Sequence, residues 1–128
     1  MASRNLLYSG KCIVSLTRGF REVVSRLPSG RGSKITFLGT AAVCLPFIEL
    51  LAYAVRDLVS EMVYVPNTML DKAVKLRYVE DYGFQVSEKA DPRRSDAVVL
   101  LGGLAMPTSR ITAEDVLNAV KEITKEGA

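Results

Sequence analysis

The chain has 128 residues, of which 48% are hydrophobic and 24% are charged, a balance that predicts one folded domain and excludes an intrinsically disordered chain. It contains no histidine, which excludes a Ser-His-Asp triad, a Cys-His pair, His-ligated zinc and a histidine general base. Any acid-base catalysis would have to use Asp, Glu, Lys, Tyr or Cys.

The net charge of +3 is unevenly distributed along the chain. Residues 1–34 contain a single acid, Glu22, and seven basic residues: Arg4, Lys11, Arg18, Arg21, Arg26, Arg31 and Lys34. Such an N-terminus is typical of organelle transit peptides, and it could also form a basic surface for RNA or for an anionic membrane. It has no apolar signal-peptide core, and aromatic residues are not interleaved with the charges as base stacking requires. Nucleic acid and membrane are therefore disfavoured as partners.

The first predicted element is an amphipathic helix. Residues 1–10 show no periodicity and are predicted to be a loose arm, which leaves 11–128 as a single domain. Apolar residues recur at helical spacing over residues 13–27, and Glu22 and Arg26 form a favourable i,i+4 pair. We expect this helix to cover a sheet with its charges in water.

The next segment is apolar enough to raise the question of a membrane span. Residues 35–55 contain one charge, Glu49. Gly39, Pro46 and the central Glu49 argue against a spanning helix. The segment is better divided into a β-strand over residues 34–38, rich in β-branched and aromatic residues, and a helix over 46–57 with Pro46 in its first turn.

The helix predicted over 46–57 has an unusually narrow polar stripe, which consists of Glu49, Tyr53, Arg56 and the following Ser60. More than one sheet face must therefore cover it. Either another helix flanks it or it lies in a subunit interface, and we expect a homodimer through this helix.

The second half of the chain predicts three further strands and two helices. Strands are predicted over 61–66, over 84–87 near an edge, and over 97–101, where a continuous apolar run is typical of a central parallel strand. Asn67 or Thr68 is predicted to cap a helix that ends near Tyr82, with Gly83 as its C′ residue. Thr112 is predicted to cap the last helix, whose buried stripe is Val116, Leu117, Val120 and Ile123.

These elements predict an α/β fold, a three-layer Rossmann-like sandwich of about four mostly parallel strands with helices on both faces. Ligands of such sheets bind at the carboxyl ends of the strands. The predicted ligand-binding residues are those of three loops: Gly39 and Thr40, Asn67 and Thr68, and Gly102 and Gly103. Small residues and helix N-termini there suit an anion or a phosphate, although tight turns would use the same glycines. No nucleotide-binding fingerprint is present and no cofactor is indicated.

The two cysteines give little indication of chemistry. Cys12 and Cys44 form no CxxC pair, so we expect two reduced, buried thiols and no metal site. Cys44, near a predicted helix N-terminus, could act as a nucleophile, but the local sequence provides no basic residue to activate it.

Two other candidates each have a functional and a structural interpretation. Glu49 could be a buried acid with a raised pKa or a solvent-facing residue near Arg56. Arg93 and Arg94 could hold a ligand carboxylate or phosphate or belong to a solvated turn.

Three segments carry a resemblance to a known family: KITFLGTAAVCLPFIELLAYAVRD, MVYVPN and ADPRRSDAVVLLGGLAMP. Over residues 11–125 the chain resembles small archaeal proteins, largely from methanogens, that are grouped as a domain of unknown function. The resemblance implies a Rossmann-like fold, a cytoplasmic archaeal protein and no assigned activity, so it identifies no catalytic residues.

The sequence does not determine a function. The interpretation that we favour is a non-catalytic module that binds a small anion or phosphate or a partner, as a dimer. One alternative is a small enzyme that acts on an anionic metabolite through Cys44 or Glu49 with Thr40. The second alternative is an N-terminal basic surface that binds RNA or membrane.

Overall fold

The computed structural model describes residues 12–27, 32–101 and 112–124. In chain order the elements are α1 (Cys12–Ser25), β1 (Ser33–Gly39), α2 (Ala41–Ala54), β2 (Val59–Pro66), a 3₁₀ turn (Leu70–Lys72), β3 (Val74–Val79), β4 (Gly83–Lys89), β5 (Ala97–Leu100) and α3 (Ala113–Ile123). The predicted α/β class is confirmed.

The strands form one mixed sheet in the order β4-β3-β2-β1-β5. β1 pairs in parallel with both β2 and β5, whereas β3 is antiparallel to both β2 and β4. The prediction of about four mostly parallel strands is therefore wrong, because the sheet of the described residues has five strands and two of its four strand pairings are antiparallel. Within the described residues β5 is at one end of the sheet and is not the central strand that its apolar run predicted.

The predicted helix over 68–82 is in fact a 3₁₀ turn followed by the first strand of a β-hairpin. Asp71 lies three residues after Thr68, as in a capping box, and four before Lys75, as in an i,i+4 ion pair. These helix signals are local, whereas Val74, Tyr78 and Val79 favour a pleated strand. Asp81 and Gly83 have positive φ angles of 72° and 81°, which make the tight turn into β4. Gly83 thus serves a hairpin and not a helix end. The prediction of an edge strand over 84–87 is confirmed by β4.

The apolar segment of residues 35–55 does divide into a strand and a helix, as predicted. However, α2 begins at Ala41 after the N-cap Thr40, and Pro46 lies inside the helix. Pro46 is therefore not in the first turn. In the parts of the chain that the structure describes, no helix combines the length and the apolarity that a membrane crossing requires.

The core consists of two clusters that use alternate residues of the central strands. Ile35 and Phe37 of β1 pack with α2 residues such as Ile48. Leu38 of β1 and Val63 of β2 pack instead with Ala119 and Ile123 of α3. Because successive strand residues point to opposite faces, the two clusters use opposite faces of these strands. Leu117, predicted to be buried on α3, is 51% exposed, and Ala119 is buried in its place.

Helix α1 flanks α2, which satisfies one of the two explanations for the narrow polar stripe of α2. Arg21 donates two hydrogen bonds to the Asp57 carboxylate, at 2.6 and 2.9 Å, and a third to the carbonyl of Ala54 at 2.9 Å. The Arg21 guanidinium holds the pKa of Asp57 well below its usual range. This contact fixes the outer helix against the carboxyl end of α2.

Candidate functional site

The predicted site residues at the ends of β1 and β2 lie together. The Asn67 N–H donates to the Gly39 carbonyl at 2.9 Å, and the Leu101 N–H, just after β5, donates to the Leu38 carbonyl at 3.0 Å. Three strand ends therefore converge at one edge of the sheet. Gly102 and Gly103 lie outside the described residues, so their predicted role is not tested.

Gly39 is closely surrounded. Its carbonyl also accepts the Tyr64 hydroxyl at 2.9 Å, and a Cβ atom added to it would lie 2.7 Å from the Cβ of Cys44. Real side chains do not approach so closely, so the position requires glycine. The backbone at the end of β1 can consequently lie directly against the first turn of α2.

Thr40 opens α2 without using its side chain as a cap. Its backbone carbonyl accepts the Cys44 N–H at 2.9 Å, and its hydroxyl lies 3.4 Å from the Cys44 thiol. By helix geometry the N–H groups of residues 41–43 have no acceptor within the helix. The N-terminus of α2 therefore provides hydrogen-bond donors and a positive dipole end beside Gly39.

Asn67, at the carboxyl end of β2, has an unusual backbone conformation and an unusual side-chain environment. It follows β2 with a φ of 55°, a conformation that asparagine tolerates better than most residues. Its side-chain oxygen is buried and has no hydrogen-bond partner among the described residues. A buried acceptor without a donor is costly, so this atom is suited to a ligand that can donate a hydrogen bond. Thr68, next in the chain, accepts the Leu70 N–H at its carbonyl at 3.1 Å.

The candidate catalytic residues are not brought together. Cys44 is 3% exposed and packs on Gly39, so its thiol is enclosed, whereas Glu49 is partly exposed further along α2. Burial, and then the neighbouring Cys44, raise the pKa of Tyr64 to about 12, which keeps this phenol protonated. The expectation of two buried thiols holds for Cys44 and is wrong for Cys12, which is exposed. In the described ranges no three His, Cys, Asp or Glu residues could hold a metal ion together.

The turn with Arg93 and Arg94 has a structural role. The Arg93 guanidinium pairs with Asp91 at 3.3 Å and with Glu122 of α3 at 2.6 Å. The Lys34 ammonium donates to the carbonyls of Asp91 and Arg93 at 2.6 and 2.7 Å. This turn therefore joins β1 to α3, and Arg93 is already engaged by protein carboxylates.

The basic residues of the N-terminal third are also partly engaged. Arg21 pairs with Asp57, Arg26 with Glu22 at 2.6 Å, and Lys34 lies 4.0 Å from Glu61. These pairs reduce the positive field of α1 and β1. Arg4, Lys11 and Arg31 lie outside the described residues.

One feature of the structure was missed by the sequence predictions. A cleft of about 330 Å³ runs between β2 and β3, bordered by Arg56, Lys75, Arg77, Tyr78 and Phe84. It could not be predicted while residues 68–82 were interpreted as a helix. The alternation within β3 and the turn residues Asp81 and Gly83 were the signals that could have revealed the hairpin.

The family model described as "Uncharacterized protein conserved in archaea (DUF2124)" matches residues 11–128. The chain belongs to this family. This confirms the resemblance to archaeal, largely methanogen, proteins of unknown function.

Individual relatives agree with the family match. An uncharacterized protein of Methanothermobacter thermautotrophicus is 42% identical over 108 residues, which cover 84% of this chain and 65% of the relative. Another from Methanocaldococcus jannaschii is 35% identical over 109 residues, covering 85% of this chain and 64% of the relative. The chain thus spans less than two thirds of the length of these curated relatives.

A solved structure supports the fold. The crystal structure of a protein of unknown function from Methanothermobacter thermautotrophicus matches with a TM-score of 0.83 at 37% identity. The match covers 99% of this chain and 76% of the solved one. The α/β fold is therefore shared with this archaeal protein.

Proposed function

We propose that this member of the archaeal family is a non-catalytic module that binds a small anionic metabolite at the carboxyl ends of β1 and β2. The observation that carries the proposal is the buried Asn67 side-chain oxygen, which has no hydrogen-bond partner among the described residues. The Asn67 backbone N–H donates to the Gly39 carbonyl, so the two residues adjoin. The site would be Rossmann-like in using the strand ends of the sheet.

The chemistry of the site suggests the class of ligand. The α2 N-terminus beside Thr40 provides N–H donors for anionic oxygens, while the Asn67 oxygen requires a donor. A bare anion satisfies only the first of these. A phosphorylated or carboxylated metabolite that also carries a hydroxyl or an N–H group satisfies both. Gly102 and Gly103 would complete the loop set.

Two observations favour binding over catalysis. The Cys44 thiol is enclosed between Gly39 and the helix, and Glu49 is five positions further along α2, off the Cys44 face. A nucleophile that a substrate cannot reach and an acid that does not adjoin it make a poor catalytic pair. An enzyme acting on an anionic metabolite therefore remains the weaker alternative.

The test is a thermal-shift screen with inorganic phosphate, sugar phosphates, nucleotides and hydroxy acids. A ligand at about 100 times its Kd adds about 2.7 kcal/mol of stability, or about 10 °C in Tm for a domain of this size. We expect Asn67→Asp to abolish this rise, because the new carboxylate repels the anion while aspartate still tolerates a positive φ. Gln85→Glu on β4 introduces the same change away from the site and should retain the rise. No rise with any compound, or equal rises in both variants, would refute the proposal.

Location and assembly are separate proposals. We propose that the protein is cytoplasmic and that two copies associate through α2, on which Phe47 is 45% exposed. A large apolar side chain exposed on this helix supports a subunit contact. A sedimentation-equilibrium mass of one chain would exclude the dimer.

A further inference from the structure

The cleft between β2 and β3 is an opening within the sheet. Its walls include four consecutive residues of each strand, 59–62 of β2 and 75–78 of β3. Consecutive residues of a strand point to opposite faces. A cleft that all of them line therefore adjoins the strand edges as well as one face of the sheet.

The ladder between the two strands stops where the cleft begins. β2 and β3 are paired only at Val63 with Lys75 and at Tyr64 with Val74. Continued in the same antiparallel register, residue 62 would face 76, 61 would face 77 and 60 would face 78. None of these pairs forms in the described structure, so one backbone edge of each strand is open over about four residues, or about 13 Å.

Aromatic contacts at one wall of the cleft hold the hairpin against α2. The Tyr78 ring lies 5.5 Å from the Phe84 ring and 6.0 Å from the Tyr53 ring of α2. β3 also has a register shift against β4 between Val74 and Leu76, and such a bulge bends a strand and increases its twist. The hairpin thus contacts α2 through Tyr78, while its pairing with β2 is confined to Val63 and Tyr64.

The charges of the cleft are predominantly positive. Arg56, Lys75 and Arg77 border it, against one carboxylate, Glu61. Glu61 itself lies 4.0 Å from the Lys34 ammonium. The Arg56 guanidinium lies 3.9 Å from the centre of the Tyr53 ring. An anionic occupant is favoured on charge alone.

We propose that the cleft receives an extended acidic peptide segment that pairs with the open backbone edges of β2 and β3. Open strand edges bind peptides through main-chain hydrogen bonds, and the carboxylates of the segment would contact Arg56, Lys75 and Arg77. A small anion such as a nucleotide would pair with the basic side chains but would leave both strand edges without hydrogen-bond partners. The peptide accounts for both features, independently of any metabolite at the Asn67 edge.

The test uses a fluorescent five-residue peptide of alternating Glu and Val. Because backbone pairing and charge provide the affinity, a generic sequence should bind, and a Lys-Val counterpart should bind at least about tenfold more weakly. Methylation of alternate backbone nitrogens removes main-chain donors from the acidic peptide. The methylated peptide should therefore bind about tenfold more weakly than the unmodified one. Amide NMR shifts should move at residues 59–62 and 75–78.

Matched variants separate the cleft from general charge attraction. Arg77→Glu should weaken binding of the acidic peptide at least about tenfold. Lys121→Glu is the same type of charge reversal at an exposed position of α3 and should leave the binding unchanged. The Tm of each variant shows whether it folds. Three results would overturn the proposal: no binding up to about 1 mM, equal binding of the methylated peptide, or displacement by AMP together with shifts outside the cleft.

Discussion

At Gly39 the end of β1 meets the first turn of α2 and the end of β2. Its carbonyl accepts the Asn67 N–H and the Tyr64 hydroxyl, and its Cα lies against Cys44. Because strand ends are marked by local features, the sequence could predict that Gly39, Thr40 and Asn67 lie at the carboxyl ends of β1 and β2. The contact with Tyr64 could not be predicted, because it depends on how β1 and β2 are aligned.

Replacement of Gly39 by alanine should destabilise the protein by about 1–3 kcal/mol, the usual cost of forcing an extra methyl into a packed core. The new Cβ would lie 2.7 Å from the Cβ of Cys44 and 3.3 Å from the terminal methyl of Ile48. Gly32→Ala is the matched control, since nothing lies within 4 Å of the position that its new Cβ would take, and it should change stability by less than about 0.5 kcal/mol. Urea denaturation measures both, and equal midpoints for the two variants would contradict the crowded geometry.

Among the helices and strands, local signals such as helix caps predicted some elements correctly and others incorrectly. Thr112 caps α3 as expected, and Asp115 completes a capping box with it, because such caps depend on residues three apart. The helix predicted over 68–82 failed because its cap and charge pair are also local, whereas strand formation by β3 depends on pairing with β4 and on burying Leu76 and Phe84. Tertiary pairing therefore outweighed helix propensity.

The link between α1 and α2 predicts a pH dependence of stability. The pKa of Asp57 is lowered in the folded state, chiefly by its hydrogen bonds with Arg21, whereas an unfolded Asp titrates near about 3.9. The unfolded chain thus binds a proton at a higher pH than the folded chain does. The contribution of the pair is present in full above about pH 5 and is lost as the pH falls below the ordinary Asp range.

This contribution can be measured by comparing wild type with Arg21→Met. The stability difference should be larger at pH 7 than at pH 2.5, with a residual difference from the bond to the Ala54 carbonyl. Arg18→Met, on the same helix and also exposed, should show no such change between the two pH values. If the stability difference between wild type and Arg21→Met were the same at both pH values, Arg21 would not lower the pKa of Asp57. The effect will be small, because both side chains are about half exposed.

For the whole molecule, the sequence was sufficient to predict an α/β domain but not its sheet order. The apolar runs of residues 34–38 and 97–101 both indicate buried parallel strands, and the two strands do pair. Nothing in either run specifies that β5 pairs with β1 alone while β2 takes the other side. The turn before β5 brings the chain back to β1, where the Lys34 backbone N–H donates to the Asp96 carboxylate, 62 positions away in the sequence.

The sheet order also predicts an uneven distribution of stability. β1 forms seven residue pairs with β2 and four with β5, and its residues from Ile35 to Gly39 are all buried. The β3–β4 hairpin is attached to β2 by only two residue pairs. Local openings follow such weak connections, so the hairpin should open without unfolding of β1 and β2.

Native-state hydrogen exchange as a function of denaturant measures this opening. Amides of β1 and β2 should exchange only through global unfolding, with a steep dependence on denaturant. Amides that link β3 to β4 should exchange at least about tenfold faster and with a shallower slope, because their opening exposes less surface. If the hairpin amides instead shared the slowest rates and the global slope, then the aromatic contacts of Tyr53, Tyr78 and Phe84 would hold it as firmly as a full ladder does. In that case the gap between β2 and β3 would be a rigid part of the domain and not the edge of a separable unit.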